Sequence, residues 1–165
     1  MLDELLTKSP DEPRLLLERA SAWASAGERE KALRALARVT APAANADQRR
    51  RAALKRQELK DPGALAALEA LSKELPDDAS LLADVGLARW LAGRGDAAVE
   101  ALKSAIRKDP RALPAYLTLG AIYGARGLFA EEAALYESAP RAGADARLLS
   151  LLSSSEAAAR GKISR

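Results

Sequence analysis

The sequence predicts an all-α chain of consecutive antiparallel helical hairpins, and three observations predict it. Ala, Leu, Glu, Lys and Arg dominate the 165 residues, and these side chains lose little rotamer freedom in a helix. β-branched residues are scarce and aromatic residues make up only 4%, which argues against a sheet. Small, apolar and helix-ending residues recur at a near-constant interval, and a period of that size decides a whole fold.

The period is clearest in the block Leu82, Val85, Gly86, Gly93, Ala98, Leu102 and Ala105. Thirty-four residues later stand Tyr116, Leu119, Gly120, Gly127, Glu132, Tyr136 and Ala139, and only the step from Ala98 to Glu132 breaks the size class. Going upstream, Leu102 and Ala105 are matched by Leu68 and Leu71, then by Leu36 and Val39, then by Leu2 and Leu5. Pro10, Pro42, Pro76 and Pro110 follow at intervals of 32, 34 and 34 residues. Two residues are therefore lost in or after the first full repeat.

Taken in order, the chain reads as one array over residues 1–165. Residues 1–10 look like the trailing helix of a truncated repeat, since Leu2 and Leu5 are in phase with second helices and no first helix precedes them. Residues 13–44 form the first full repeat. Residues 45–78 form a degenerate one, whose first helix (46–60) has only Ala52, Ala53, Leu54 and Leu59 as apolar content. Its register is open by two residues, although the Asp61-Pro62-Gly63 turn and the following helix are clear. Residues 79–112 and 113–144 form two further repeats. Residues 145–160, with Leu148, Leu151 and Leu152 on one side, form a helix that caps the array or opens another repeat. The two ends together suggest a piece of a longer protein.

Each repeated residue type has a physical task. Ala20, Gly86 and Gly120 fall where the two helices of a hairpin cross, and Ala32 and Ala98 answer them from the second helix. Gly27, Gly93 and Gly127 end the first helices, where a left-handed residue releases the chain into a turn. Pro10, Pro76 and Pro110 follow second helices that they cannot continue. Leu36, Leu68, Leu102 and Tyr136 form the stripe that stacks on the next hairpin.

A 34-residue helix–turn–helix unit with these small residues, helix-ending glycines and a closing proline resembles the tetratricopeptide repeat. The resemblance covers roughly residues 1–140. It rests on Leu16, Ala20, Trp23, Gly27, Ala32, Leu36 and Val39 in the first full unit. The third unit adds Leu82, Val85, Gly86, Gly93, Ala98, Leu102, Ala105 and Pro110, and the fourth adds Tyr116, Leu119, Gly120, Tyr123, Gly127, Tyr136 and Ala139. It implies an α–α superhelix, a right-handed solenoid whose first helices line a concave groove. Three residues depart from the pattern. Arg19 stands where Leu is usual, Arg89 stands where an aromatic is usual, and Glu132 stands where Ala is usual. The last suggests a one-residue shift that presents Ala133 instead.

Function lies in what projects into the groove, because the fold itself serves many functions. The register implied by the resemblance turns Asp84, Leu87, Trp90 and Leu91 to the concave side of the third unit. In the fourth it turns Leu117, Thr118, Ala121 and Gly124. Trp90 either anchors a partner there, as large aromatics do at interfaces, or is tucked into the core by a small helix rotation. The cluster Arg49, Arg50, Arg51, Lys55 and Arg56 is the only concentrated charge. Arg51 and Lys55 share a helix face, which either receives an acidic peptide or a free C-terminal carboxylate or is a solvated surface. The expected role is a non-catalytic scaffold for a partner protein or peptide, of the kind found in bacterial assembly or secretion machinery.

Other classes fit less well. Cys and His are absent, removing thiolate chemistry and the commonest general base near neutral pH, and no glycine-rich phosphate loop is present. The net charge of +3 comes from 26 basic and 23 acidic residues on a mixed surface, so no basic stripe points to nucleic acid. Leu17, Ala83 and Leu117 hold the places where a helical RNA reader needs polar side chains. No cofactor, metal or membrane insertion is expected, and no compartment is indicated. Self-association through the terminal helices, by way of Leu2, Leu5, Leu151 and Leu152, is the alternative role.

Overall fold

The computed structural model describes residues 11–40, 42–139 and 146–163, so the predicted helix over residues 1–10 lies outside them. Among the described residues every regular element is a helix, and none is long and apolar enough to cross a membrane. The chain divides into two compact units, residues 1–74 and 75–165.

The first unit holds α1 (Pro13–Ser25), α2 (Arg29–Ala37), α3 (Ala46–Glu58) and α4 (Gly63–Glu74). Helix α1 pairs with α2, α3 pairs with α4, and α3 packs on both helices of the first pair. The second unit holds α5 (Ala79–Leu91), α6 (Gly95–Lys108), α7 (Leu113–Ala125), α8 (Phe129–Ser138) and α9 (Ala146–Ile163). There α5 pairs with α6 and α7 with α8, α7 packs on both α5 and α6, and α9 packs on α8 and α7.

Local chemistry starts these helices. Pro13 opens α1 while the Glu12 carboxylate accepts from the Arg14 and Leu15 amides at 3.2 and 2.8 Å. Asn45 and Gln48 form a reciprocal capping box on α3, and Asp78 accepts from the Leu81 amide at 2.9 Å at the start of α5.

One repeated bond pattern ends the first helix of every pair. The amides of Glu28, Asp61, Arg94 and Leu128 reach back to the carbonyls of Trp23, Arg56, Arg89 and Tyr123 at 2.8–2.9 Å. Each pattern closes over a left-handed residue: Gly27, Gly93 and Gly127 at φ of 77°, 75° and 74°, as the sequence predicts. In the degenerate repeat that residue is Lys60, at φ 55°. Lys60 thus sets the register that periodicity left open, and it places Ala53 at the helix crossing.

The crossings are close. A methyl group at Gly86 would meet Leu102 Cγ at 2.6 Å, and one at Gly120 would overlap the Tyr136 ring. In the first unit Ala20, Ala32, Ala53 and Ala64 are buried at the same places. Leu16, Leu36 and Leu68 fill that unit's interior, and Leu81, Leu102, Leu119 and Ile122 fill that of the second.

The expected shift at Glu132 does not occur. Both Glu132 and Ala133 are buried, and Glu132 keeps its place at only 5% exposed. Gly124 gives its carboxylate room, since an added methyl group there would lie 2.7 Å from an oxygen. The ammonium of Lys162 on α9 pairs with it at 3.2 Å while lying 5.1 Å from the centre of the Phe129 ring. A buried carboxylate needs such a partner, because desolvation disfavours it unpaired.

Candidate partner-binding site

In the first unit α1 and α3 form an open groove of about 260 Å³, lined by Leu17, Ser21, Arg51, Leu54, Lys55 and Glu58. Spacings of three and four residues put Arg51, Leu54, Lys55 and Glu58 one after another along one side of α3. The groove floor is apolar, through Leu17 and half-buried Leu54, and its α3 wall is cationic. Lys55 bonds Glu58 at 2.7 Å on its own helix, whereas the exposed Arg51 has no ion-pair partner among the described residues. Of the basic cluster, these two residues share the groove.

Arg49 and Arg56 take other work. Arg49 grips the Glu74 carboxylate with two bonds of 2.7 and 2.8 Å, and Arg56 bonds Asp61 at 2.5 Å. The hydrogen bonds and charge of Arg49 outweigh the desolvation of Glu74 and hold its carboxyl below the usual carboxylate range. Burial pushes the Asp61 carboxyl up, but the Arg56 hydrogen bond, the Gly63 amide and the nearby guanidinium charges outweigh it and bring it below that range. Arg29 reaches from α2 to the Leu59 carbonyl at 2.9 Å, tying the first pair to the end of α3.

In the second unit the predicted residues divide. Leu91 is 65% exposed at the end of α5, and Ala121 is exposed on α7. Asp84, Leu87 and Thr118 are half-buried, and the Thr118 hydroxyl donates to the Pro114 carbonyl at 2.9 Å. Leu117 packs beside Leu113, Tyr116 and Tyr136. Trp90 is half-buried against the α5–α6–α7 core, its ring beside Gly95 at the start of α6. Gly124, expected in the groove, lies against Glu132.

Sequence reasoning missed Ser21 and Glu58 as groove residues, and Leu54 as part of the groove floor. Their signal was the i, i+3 and i+4 spacing from Arg51 and Lys55, usable once Lys60 fixes the register. Arg19, out of pattern in the sequence, stacks its guanidinium 4.3 Å over the Trp23 ring centre. Arg89, in the place of an aromatic, donates to the Ala97 carbonyl at 3.2 Å and so bridges α5 to α6.

Consecutive antiparallel pairs, left-handed residues between paired helices and small residues at the crossings define the tetratricopeptide-repeat fold, which typically serves as a protein-interaction scaffold. Solved structures of that fold match most of the chain. A MamA crystal structure matches at 21% identity and TM-score 0.67, over 84% of this chain and 82% of that one. MamA from residue 41 to its end, from Desulfovibrio magneticus RS-1, matches at 20% identity and TM-score 0.69, over 93% and 82% of the two chains. YrrB, described as a tetratricopeptide-repeat protein with an unusual peptide-binding site, matches at 16% identity and TM-score 0.68, over 93% and 79%. No protein-family model matches the chain, and no curated protein matches its sequence.

Proposed function

We propose that this protein is a non-catalytic interaction scaffold whose inner helix faces hold an extended, acidic segment of a partner protein. The observation that carries this reading is the α1–α3 groove, with its apolar floor, its cationic wall and an Arg51 guanidinium that no described residue neutralises. A partner carboxylate takes Arg51 and Lys55, drawing Lys55 from Glu58, while an adjacent apolar side chain sits on Leu17 and Leu54. In the second unit Leu87, Leu91 and Ala121 offer an apolar inner face, with Trp90, Leu117 and Thr118 supporting it and Asp84 at its edge. The peptide-binding site named for YrrB, a protein of the same fold, is consistent with this use of the scaffold.

The test is a titration of the full chain against an array of fluorescent peptides that vary in charge and hydrophobicity. Acidic peptides with a Leu or Phe among the carboxylates should bind, and binding should weaken as salt rises. Arg51→Glu should lower affinity by about tenfold or more, the scale of a lost charged contact at an interface. Binding that ignores peptide charge, or that is unchanged by both Arg51→Glu and Lys55→Glu, would sink the proposal.

A further inference from the structure

The charged side chains that line the α1–α3 groove all come from α3, and their states differ. Arg51 is exposed and has no ion-pair partner among the described residues, whereas Lys55 and Glu58 hold each other at 2.7 Å. The lining thus runs cation, cation, carboxylate along the helix, and the side chain of that carboxylate is 65% exposed.

Helix stability does not account for Glu58. It is the last residue of α3, where the helix macrodipole disfavours a carboxylate. Its pair with Lys55 puts the cation before the anion in the chain, the weaker of the two orders on a helix. The turn does not need a charge there either. Two residues before the left-handed position, the other first helices carry Ser25, Leu91 and Ala125. The Lys55–Glu58 pair is also exposed enough to be exchanged readily for other partners.

We infer, building on the acidic guest proposed for this groove, that Glu58 makes the groove selective for a segment with a basic side chain two residues from its carboxylate. A guest carboxylate that draws Lys55 away leaves Glu58 as an unpaired anion in the lining, and the guest's own cation takes it. One ion pair within α3 is thereby exchanged for pairs across the interface. The spacing fits an extended guest. A carboxylate midway between Arg51 and Lys55 lies about 7.5 Å from Glu58 along the helix axis. Residues two apart in an extended chain are about 6.7 Å apart and point the same way.

The test titrates the full chain with two fluorescent peptides that share an acidic residue and a leucine. They differ only in carrying Lys or Gln two residues from the acid, and each is made in both sequence directions. In at least one direction the Lys peptide should bind about two- to fivefold tighter, the weight of one exposed ion pair. The net charge of +3 works the other way, since a general field favours the more acidic Gln peptide. Glu58→Gln should cancel the preference for Lys and tighten the Gln peptide, because Lys55 is then free. Its melting temperature should match that of the native chain, since the lost pair is exposed. Equal affinity of the native chain for both peptides overturns the role of Glu58, as does a preference for Lys that survives in Glu58→Gln. Both results leave the acidic-guest reading standing. If neither peptide binds, that reading falls and takes the selectivity with it.

Discussion

Lys60→Gly should make this protein more stable, although it deletes a charged side chain from a helical repeat protein. Lys60 occupies the left-handed position that glycine holds after the first helices of the other pairs, at φ 55° against 74–77° for Gly27, Gly93 and Gly127. For a residue with a Cβ that conformation costs roughly 1–2 kcal/mol. Glycine removes this strain but gains freedom in the unfolded chain, worth about 0.4–1 kcal/mol in the opposite direction. The exposed Lys60 side chain has no partner among the described residues, and the carbonyl that accepts from Arg29 is kept. At the midpoints of these two ranges the net gain is about 0.8 kcal/mol, or roughly 2 °C in melting temperature for a chain of this size. The reciprocal changes Gly27→Ala, Gly93→Ala and Gly127→Ala should each cost about 1 kcal/mol. A methyl group there meets nothing within 4 Å, so the loss is purely conformational. Urea unfolding followed by circular dichroism gives the free energies, and hydrogen exchange assigns the Lys60→Gly gain to α3 and α4. If Lys60→Gly is neutral or destabilising with an unchanged m-value, the equivalence of the four turns is wrong.

Two further outcomes follow from the charged pairs. Lys162→Met should cost about 1–2 kcal/mol, below the full penalty for a buried pair because Lys162 is 43% exposed. Combining it with Glu132→Ala should cost less than the two single changes together, and strictly additive costs in the double-mutant cycle would refute the coupling. The Asp61 carboxyl titrates below its unfolded value of about 3.9, so its contribution is present above that pH and lost as pH falls through the folded value. Asp61→Asn should therefore lower stability at neutral pH and flatten its decline between about pH 5 and 3. A decline as steep as in the native chain would exclude Asp61 as its source.

What could be read from the sequence was what backbone geometry demands. A left-handed turn and a helix crossing tolerate very few residue types, so Gly27, Gly93, Gly127, Gly86 and Gly120 announce themselves by spacing alone. The degenerate repeat hid because its substitutions are compensated by residues that periodicity does not connect. Arg49 and Arg56 stand where the fourth repeat has tyrosines, and only Glu74 and Asp61 make those charges tolerable. Glu132 hid in the same way: Gly124 gives it space and Lys162, in the next helix, neutralises it. For the candidate groove, the sequence grouped Arg51 with Lys55 but left open which way α3 turns them. Trp90 exposed a different gap, since its position is clear while its side-chain direction depends on contacts near Gly95.

These compensations bear on binding. An aromatic at the Arg49 and Arg56 places would bury apolar area and bring no charge to neutralise, as at Tyr116 and Tyr123. Arginines there require two acidic residues and leave a recess, so packing stability alone gives no reason to prefer them. Pairing Arg49 and Arg56 with their own carboxylates also keeps them out of competition for an acidic guest. Arg51 is then left as the uncompensated cation in the α1–α3 groove, among the described residues. The repeat that looks degenerate by its apolar pattern thus separates two kinds of arginine on one helix: those neutralised within the fold, and one whose charge is available to a partner.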